Sequence, residues 1–309
     1  MNVTDGEGSR LAGILGALAA LLIWSGFILT TRWGLRGPIQ PADMLMLRFG
    51  VSGLIMLPFF IRRGFAGLRF WQVMTMALLA GVGFSCLSFF TGFSMAPAAH
   101  AGVLLPGMLP FFTSILGALF LGERLRGMRL FGLGLIFAGI AALGWSSISS
   151  DTPGQWIGDL GFIGASLSWS IFTVLMRRWN VSPVNATMLI CVPSMVIYTP
   201  VYLAFLPVHL HELPWTWIAF YGVYQGLFAV VLSVIAFGIA VRNIGATAAA
   251  SITSGVPAIA TVAAIPLLGE VPTPVTAIGV ALAICGMLVS VQAVRRGPAV
   301  SLRHSTAGD

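Results

Sequence analysis

The chain has 309 residues, of which 58% are hydrophobic and 8% are charged, and its formal net charge is +7. Soluble globular domains carry about 25% charged residues, so this composition excludes a water-soluble fold and predicts a lipid-embedded chain. No soluble basic domain is present to carry the positive charge, which excludes a nucleic-acid-binding protein.

Ten apolar runs of about 20 residues, the length needed to cross roughly 30 Å of hydrocarbon, follow one another along the chain. Peptide groups find no water in hydrocarbon, and the runs lack the alternation of barrel strands, so each is predicted to be a transmembrane helix. The first run is too long for a cleaved signal and is kept as a span. In chain order the spans are Leu11–Thr31, Pro41–Ile61, Phe70–Phe93, Ala99–Leu121, Met128–Ser147, Ile157–Leu175, Val184–Phe205, Leu213–Ala240, Ile244–Leu268 and Thr273–Val294.

The arginines are unevenly distributed between the two sides of the membrane. With a cytoplasmic N-terminus, the outside loops hold only Arg32 and Arg36. The inside loops and ends hold Arg10, Arg62, Arg63, Arg69, Arg124, Arg126, Arg129, Arg177, Arg178, Arg242, Arg295, Arg296 and Arg303. The acidic residues in or beside outside loops are Asp151, Asp159, Glu212 and Glu270. The positive-inside rule therefore predicts that both termini face the cytoplasm.

The second half of the chain repeats the first at an offset of 147 residues. The ungapped matches are Pro110 with Pro257, Leu121 with Leu268, Gly122 with Gly269, Glu123 with Glu270, Gly132 with Gly279, Leu135 with Leu282 and Gly139 with Gly286. The first span of each half also shares a motif, in which Trp24, Ser25, Phe27 and Arg32 match Trp169, Ser170, Phe172 and Arg177. Five spans per half is an odd number, so the two copies enter the membrane from opposite sides. Such inverted repeats are a common way to build a transporter.

The ten-span plan, the tryptophan motif in spans one and six, the proline followed by Leu-Gly-Glu and the glycines beyond it resemble the EamA-type transporters of the drug/metabolite transporter superfamily. The resemblance covers residues 10–296. It implies an all-α integral membrane protein whose ten transmembrane helices form two inverted five-helix repeats, residues 1–148 and 156–296, with a cytoplasmic tail over 297–309. It also implies a cavity lined mainly by helices one, three, four, six, eight and nine.

Several residues near the middle of the membrane are candidates to line that cavity. The aromatic and hydroxyl candidates of the two repeated motifs are Trp24, Ser25, Trp169 and Ser170. The tryptophans lie about a dozen residues into their spans and are predicted to form two walls of one site, with plain packing between helices as the alternative. Pro110 and Pro257 lack an amide proton and leave carbonyls free, either for a site or simply as a kink.

Polar side chains inside two further spans add to the candidate substrate site. Tyr221, Tyr224 and Gln225 share one helical face, where they either line the site or bond to a neighbouring helix. Arg48 is the only arginine within a predicted span, at a cost of about 2.5 to 3.5 kcal/mol for a central position. It would either reach the headgroups or pair with Asp43, as a structural residue, or hold a substrate carboxylate.

His100, at the outer end of the fourth span, could change charge near neutral pH. It would either bind a proton or act as an interfacial hydrogen-bonding residue, and no carboxylate is predicted well inside a span. No metal site or cofactor is predicted. His209, His211 and Glu212 have no evident fourth ligand, and the cysteines, Cys86, Cys191 and Cys285, lack paired spacing.

These observations predict a secondary transporter of the bacterial inner membrane that works by alternating access on a small-molecule substrate. Export of amino acids or related compounds is the first expectation, and uptake of a vitamin or other nutrient is the alternative. A membrane enzyme would need convergent nucleophile, base or metal groups, and a non-transporting scaffold would not need duplicated prolines. The oligomeric state stays open, a homodimer included. Glycines seven residues apart, Gly132 with Gly139 and Gly279 with Gly286, are predicted to let helix backbones touch.

Overall fold

The computed structural model describes residues 3–121, 127–149 and 152–295. Within them, ten helices are long and apolar enough to cross a membrane, which confirms the predicted spans. They are α1 Val3–Arg36, α2 Pro41–Arg63, α3 Phe70–Met95, α4 Ala98–Leu121, α5 Gly127–Ile148, α6 Gln155–Arg178, α7 Pro183–Phe205, α8 Trp215–Ile244, α9 Ala246–Leu268 and α10 Pro274–Arg295. The protein is therefore an all-α, multi-pass membrane protein. The predictions for Glu123, Asp151, Arg124, Arg126, Arg296, Arg303 and the tail 297–309 fall outside the described residues.

Ten spans bring the start of α1 and the end of α10 to one face of the bundle, here called the terminal face, and the end of α1 to the opposite face. Prolines begin three of the described helices, α2, α7 and α10, where the fixed φ of proline suits the first turn. Pro41 opens α2, and Pro183 opens α7 behind Ser182, whose hydroxyl accepts a hydrogen bond from the amide of Asn185 at 3.3 Å.

The end of α1 differs from the prediction. The helix continues to Arg36, so Arg32 and Arg36 lie in its last two turns and not in a loop. The prediction was wrong because it let a charged residue end the span. In the fold, Glu270 lies 2.9 Å from the buried Arg32 and 2.8 Å from Arg36, whose side chain is 43% exposed. One carboxylate and the exposure of Arg36 thus allow the helix to carry both arginines.

The two repeats meet where α5 packs against α10 through the four predicted glycines. A Cβ atom added to Gly139 would lie 2.5 Å from the carbonyl oxygen of Gly279, and one added to Gly286 would lie 2.6 Å from that of Gly132. The reverse contacts, from Gly279 to Gly139 and from Gly132 to Gly286, are both 2.9 Å. The predicted backbone contact is confirmed, and its reciprocity reflects the inverted repeat.

The third helix of each repeat is wound more widely than an α-helix. In α3 the π-helical turns cover Ala77–Gly83 and Leu87–Gly92, and in α8 they cover Gly222–Leu232. Wide turns of this kind inside helices frequently occur at functional sites. Their presence at equivalent places in both repeats marks α3 and α8 as helices whose geometry serves more than simple membrane spanning.

The matched prolines have different effects in the two repeats. α4 continues through Pro110 as an unbroken helix. α9 is interrupted at Ser254 and Gly255, so that one segment, Ala246–Thr253, ends and a second, Val256–Leu268, begins with Pro257 in its first turn. The interruption lies about 12 Å from the terminal face at 1.5 Å per residue, which is near the middle of the membrane. α9 is therefore a discontinuous transmembrane helix.

Candidate functional site

Arg48 lies inside the bundle and is bound by groups of neighbouring helices. Its Nη1 donates to Oε1 of Gln225 at 3.1 Å, and Nε2 of Gln225 donates to Oγ1 of Thr31 at 2.8 Å. The side chain of Gln225 is fully buried and Arg48 is 9% exposed. The structure thus brings together two of the predicted residues, Arg48 and Gln225, in a cluster with Thr31 that we call the arginine site.

Two phenylalanine rings complete the arginine site. The guanidinium carbon of Arg48 lies 5.1 Å from the ring centre of Phe27 in α1 and 5.9 Å from that of Phe89 in α3. These distances allow cation–π attraction, which is worth about 2 kcal/mol when the cation is desolvated. The predicted alternatives, a side chain that reaches the headgroups or pairs with Asp43, are not what the structure shows. Asp43 is instead bound by the hydroxyl of Tyr202 and by the amide of His209.

The two tyrosines of α8 bind the backbone of α1. The hydroxyl of Tyr221 donates to the carbonyl oxygen of Thr30 at 3.1 Å, and that of Tyr224 donates to Ile23 at 3.2 Å. Glycines of α1 make room for both: a Cβ atom at Gly26 would lie 2.0 Å from the Tyr224 hydroxyl. The face shared by Tyr221, Tyr224 and Gln225 is thus directed at α1 and α2, where it holds the arginine site in place.

The repeated tryptophans occupy equivalent but separate places. Trp24 of α1 lies 5.4 Å, centre to centre, from Phe237 of α8, and Trp169 of α6 lies 5.1 Å from Phe84 of α3. Each packs against the third helix of the other repeat, within different apolar clusters. The following hydroxyls, of Ser25 and Ser170, donate to carbonyl oxygens of their own helices, those of Leu21 and Ser166, at 2.8 and 2.7 Å. That the tryptophans wall one site stays a prediction.

Glu270 joins helices of both repeats at the opposite face, in what we call the Glu270 clasp. Its Oε1 pairs with Arg32 and Arg36 at the end of α1, and its Oε2 accepts the backbone amide of Ala98 at the start of α4, at 2.7 Å. Arg32 also donates to the carbonyl oxygen of Phe93. The carboxylate is 9% exposed. One side chain therefore holds α1, α4 and the end of α9 together at this face.

A second polar cluster near the opposite face contains His100. Nδ1 of His100 lies 2.8 Å from Oδ1 of Asp159, whose other oxygen accepts the hydroxyl of Ser147. Nε2 of Gln155 donates to Ser147 at 3.0 Å. We call these four residues the histidine cluster. Asp159 is the fifth residue of α6 and is 6% exposed, so it lies one turn from the helix end, beside the outside loop as predicted, with its carboxylate buried.

A pocket of about 1360 Å³ opens at the terminal face, between the start of α1, the end of α8 and the start of α9. Its polar lining includes Arg10, Asn243, Thr247, Ser251 and Gln292. Ser251 precedes the interruption of α9 by only three residues, so the pocket extends from this face towards the discontinuous part of the helix. The bundle is thus open beside α9 at one face and held by the Glu270 clasp at the other.

The chain matches the model of the EamA-like transporter family over residues 11–145 and 156–292, which are the two repeats in turn. The protein belongs to the EamA-like transporter family. The fold is similar to that of a protein of known crystal structure. The match covers 93% of this chain and 100% of the other, with a TM-score of 0.61 and 21% sequence identity. At this identity the likeness concerns the fold alone.

Two curated relatives are similar in sequence. A "Probable amino-acid metabolite efflux pump" of Escherichia coli (strain K12) is 30% identical over 180 residues, which are 55% of this chain and 54% of the relative. The "Uncharacterized transporter YetK" of Bacillus subtilis (strain 168) is 26% identical over 253 residues, or 79% of this chain and 76% of the relative. The chain thus spans about half of the first relative and three quarters of the second. These relatives and the family identify a membrane transporter.

Replacing Glu270 in this EamA-like protein with glutamine should lower its thermal stability. The substitution keeps the shape of the side chain but leaves Arg32, whose side chain is 10% exposed, without its carboxylate. Breaking a buried pair in this way costs about 3 kcal/mol or more. Thermal unfolding in detergent should show a clearly lower melting temperature for Glu270→Gln than for the wild type. Glu212→Gln is the matched control, because that carboxylate is 60% exposed and pairs loosely with His211 at 3.7 Å. Equal melting temperatures for the two variants would contradict a structural role of the clasp.

Proposed function

We propose that this transporter exports amino acids or related carboxylate-bearing metabolites across the bacterial inner membrane by alternating access. The observation that carries the proposal is the buried guanidinium of Arg48. Within the described residues no carboxylate pairs with it, and it donates a hydrogen bond to the neutral amide of Gln225. A desolvated charge of this kind is costly, and an anionic ligand would compensate it.

The surroundings of Arg48 suit an amino acid. A planar guanidinium can donate two parallel hydrogen bonds to a carboxylate. The rings of Phe27 and Phe89 offer apolar surface beside it. The name of the Escherichia coli relative, "Probable amino-acid metabolite efflux pump", agrees with this substrate class and with outward transport.

Alternating access is supported by the contrast between the two faces. The Glu270 clasp ties α1, α4 and α9 at the opposite face, while the pocket beside α9 is open at the terminal face. Discontinuous helices near the membrane middle are typical of transporters built from inverted repeats. We propose that rocking of the two repeats breaks the clasp and closes the pocket. The arginine site would then lose access to the terminal face and gain access to the opposite face. Trp24, Pro110, Trp169 and Pro257 are proposed to line the path.

The proposed orientation has both termini in the cytoplasm, so the pocket faces the cytoplasm and the clasp faces the outside. It rests on the excess of arginine in the loops of the terminal face. This arrangement gives an intracellular substrate direct access to the pocket, as export requires.

Proteoliposomes that contain the purified protein test the proposal. They are incubated with a mixed metabolite pool, and mass spectrometry identifies what enters, with Trp169→Ala measured beside the wild type. Accumulation of amino acids or similar carboxylates by the wild type, with reduced uptake by the variant, is expected. Flux measured in each direction separates export from uptake of a nutrient. A folded protein that moves nothing from the pool would favour a non-transporting scaffold.

A further inference from the structure

The histidine cluster joins the two repeats through an ionisable pair. His100 is the third residue of α4, in the first repeat, and Asp159 belongs to α6, in the second. Their side chains are 1% and 6% exposed, and Nδ1 and Oδ1 are 2.8 Å apart. Ionisable residues buried within membrane spans are rare and usually mark a functional site.

The two oxygens of Asp159 accept hydrogen bonds from different helices, one from His100 in α4 and one from the hydroxyl of Ser147 in α5. Both oxygens of this carboxylate are thus satisfied as hydrogen-bond acceptors. A neutral imidazole that donates its Nδ1 proton to Oδ1 leaves Nε2 as the nitrogen that takes up a further proton. In the neutral-histidine state the cluster has a net charge of −1, and uptake of one proton at Nε2 makes it a neutral ion pair.

Few other charges can compete for that proton. The helices packed against the pair are α1, α3, α5, α9 and α10, besides α4 and α6 themselves. Their further charged or titratable groups with described side chains are Arg10, Arg32, Arg36, Cys86, Arg129, Arg177, Arg178 and Cys285, with Glu270 directly after α9. The arginines outside the clasp lie at the ends of their helices on the terminal face, far from His100, and the two cysteines lie within spans. Among these groups of the packed helices, only those of the Glu270 clasp lie at the end of the bundle where His100 lies.

The clasp and the histidine cluster hold the same turn of α4. Glu270 accepts the amide of Ala98, two residues before His100. A change of charge at His100 therefore acts on the turn that the clasp fixes, and movement of α4 against α6 alters the distance between His100 and Asp159. Proton binding and the relative position of the repeats are thus linked.

We propose that His100 and Asp159 form the proton-binding site that couples this transporter to the proton gradient. The inference rests on the proposed function. A proton from the outside binds Nε2 of His100 while the clasp is open, and it leaves to the cytoplasm when the repeats have rocked. Substrate moves in the opposite sense, so an inward proton gradient drives export. Asp159 acts as a positioning residue that holds the imidazole and stabilises its charge.

The test uses proteoliposomes and two transport modes with an amino acid that the wild type carries. Counterflow exchanges labelled for unlabelled substrate without any gradient and reports whether the protein folds, binds and moves substrate. Accumulation driven by an acidic vesicle interior reports coupling, and one pH unit can drive about tenfold accumulation in a one-for-one exchange. The variants are His100→Gln and Asp159→Asn. His211→Gln is the matched control, because this histidine is largely exposed.

We expect both variants to keep counterflow and to lose the roughly tenfold accumulation, while His211→Gln behaves as the wild type. Gradient-driven accumulation that is unchanged in both variants would overturn the coupling proposal alone. Absence of counterflow in the folded wild type would overturn the proposed function and the coupling with it.

A second measurement does not depend on the variants. In wild-type proteoliposomes, entry of the amino acid should be accompanied by release of protons from the vesicle interior, which a trapped pH-sensitive dye reports. Substrate entry with no change in the interior pH would overturn the proposal, whatever the stability of the variants.

Discussion

Replacing Arg48 with glutamine should reduce the apparent affinity for carboxylate substrates about 10- to 100-fold. Hydrogen bonds to charged groups contribute about 1.5 to 3 kcal/mol, and the substitution removes both the charge and the two-pronged donor. Arg48→Lys keeps the charge but not the planar guanidinium, so its affinity should lie between those of the wild type and Arg48→Gln. Arg62→Gln is the matched control in the same helix, because that arginine is exposed near the helix end.

A substrate pair separates carboxylate binding from a general defect. The wild type should prefer an amino acid over its carboxamide analogue, and Arg48→Gln should lose that preference, because the two substitutions remove the same interaction from opposite partners. A variant that keeps the wild-type preference would contradict a contact between Arg48 and the carboxylate. Uptake kinetics in proteoliposomes give the apparent affinity of the wild type and of Arg48→Gln for each of the two compounds, which are the four values that the comparison needs.

Thermal stability provides an independent view of the same residue. The cost of burying a charge without a carboxylate partner offsets the hydrogen bond to Gln225 and the attraction to the two rings, so Arg48→Gln should not lower the melting temperature strongly. Saturating amino acid should raise the melting temperature of the wild type and not that of the variant, since a ligand stabilises the state that it binds. A variant that unfolds far below the wild type without substrate would instead indicate the structural role for Arg48.

Replacing Gly139 or Gly286 with leucine should prevent normal folding. The Cβ atom of either new side chain would lie within 2.6 Å of a backbone carbonyl oxygen of the facing helix, and backbone cannot move aside as a side chain can. Overpacking a core already costs about 1 to 3 kcal/mol when the neighbours are flexible, and here α5 and α10 would have to separate. Expression in membranes and elution as a single species in detergent measure the effect.

Gly134→Leu is the control for the glycine variants, because it lies on the same helix and a Cβ atom there has no neighbour within 4 Å. It should express and unfold as the wild type does. Normal expression and stability of Gly139→Leu and Gly286→Leu would refute the packing role of these glycines.

The ten spans and the inverted duplication could be predicted from sequence because both depend on local properties. Twenty apolar residues suffice to define a span, and an ungapped repeat needs no structure to be seen. The close approach of backbone at the four glycines was predictable for the same reason, since residues seven apart lie on one helical face, but the pairing of α5 with α10 was not. The ends of spans were less certain, as Arg32 shows, because a distant glutamate decides whether a helix can carry an arginine.

The polar clusters could not be predicted because they depend on which helices meet. Asp159 is close to a loop in the sequence, and only the packing of α4 against α6 brings it to His100. The wide turns of α3 and α8 correspond to no recognisable pattern in the sequence. Pro110 and Pro257 occupy equivalent positions of the two repeats, so their different effects could not be predicted from sequence either. One signal was available: an ionisable residue at the edge of an apolar run needs a partner, which indicates that His100 has one without indicating which residue it is.

The most direct test of the account is counterflow of a labelled amino acid in proteoliposomes, with Arg48→Gln and Arg62→Gln measured beside the wild type. The account predicts exchange by the wild type and by Arg62→Gln, and a strong loss with Arg48→Gln. Equal exchange by all three proteins would contradict the assignment of the arginine site, and no exchange of any amino acid by the folded wild type would contradict amino-acid transport itself.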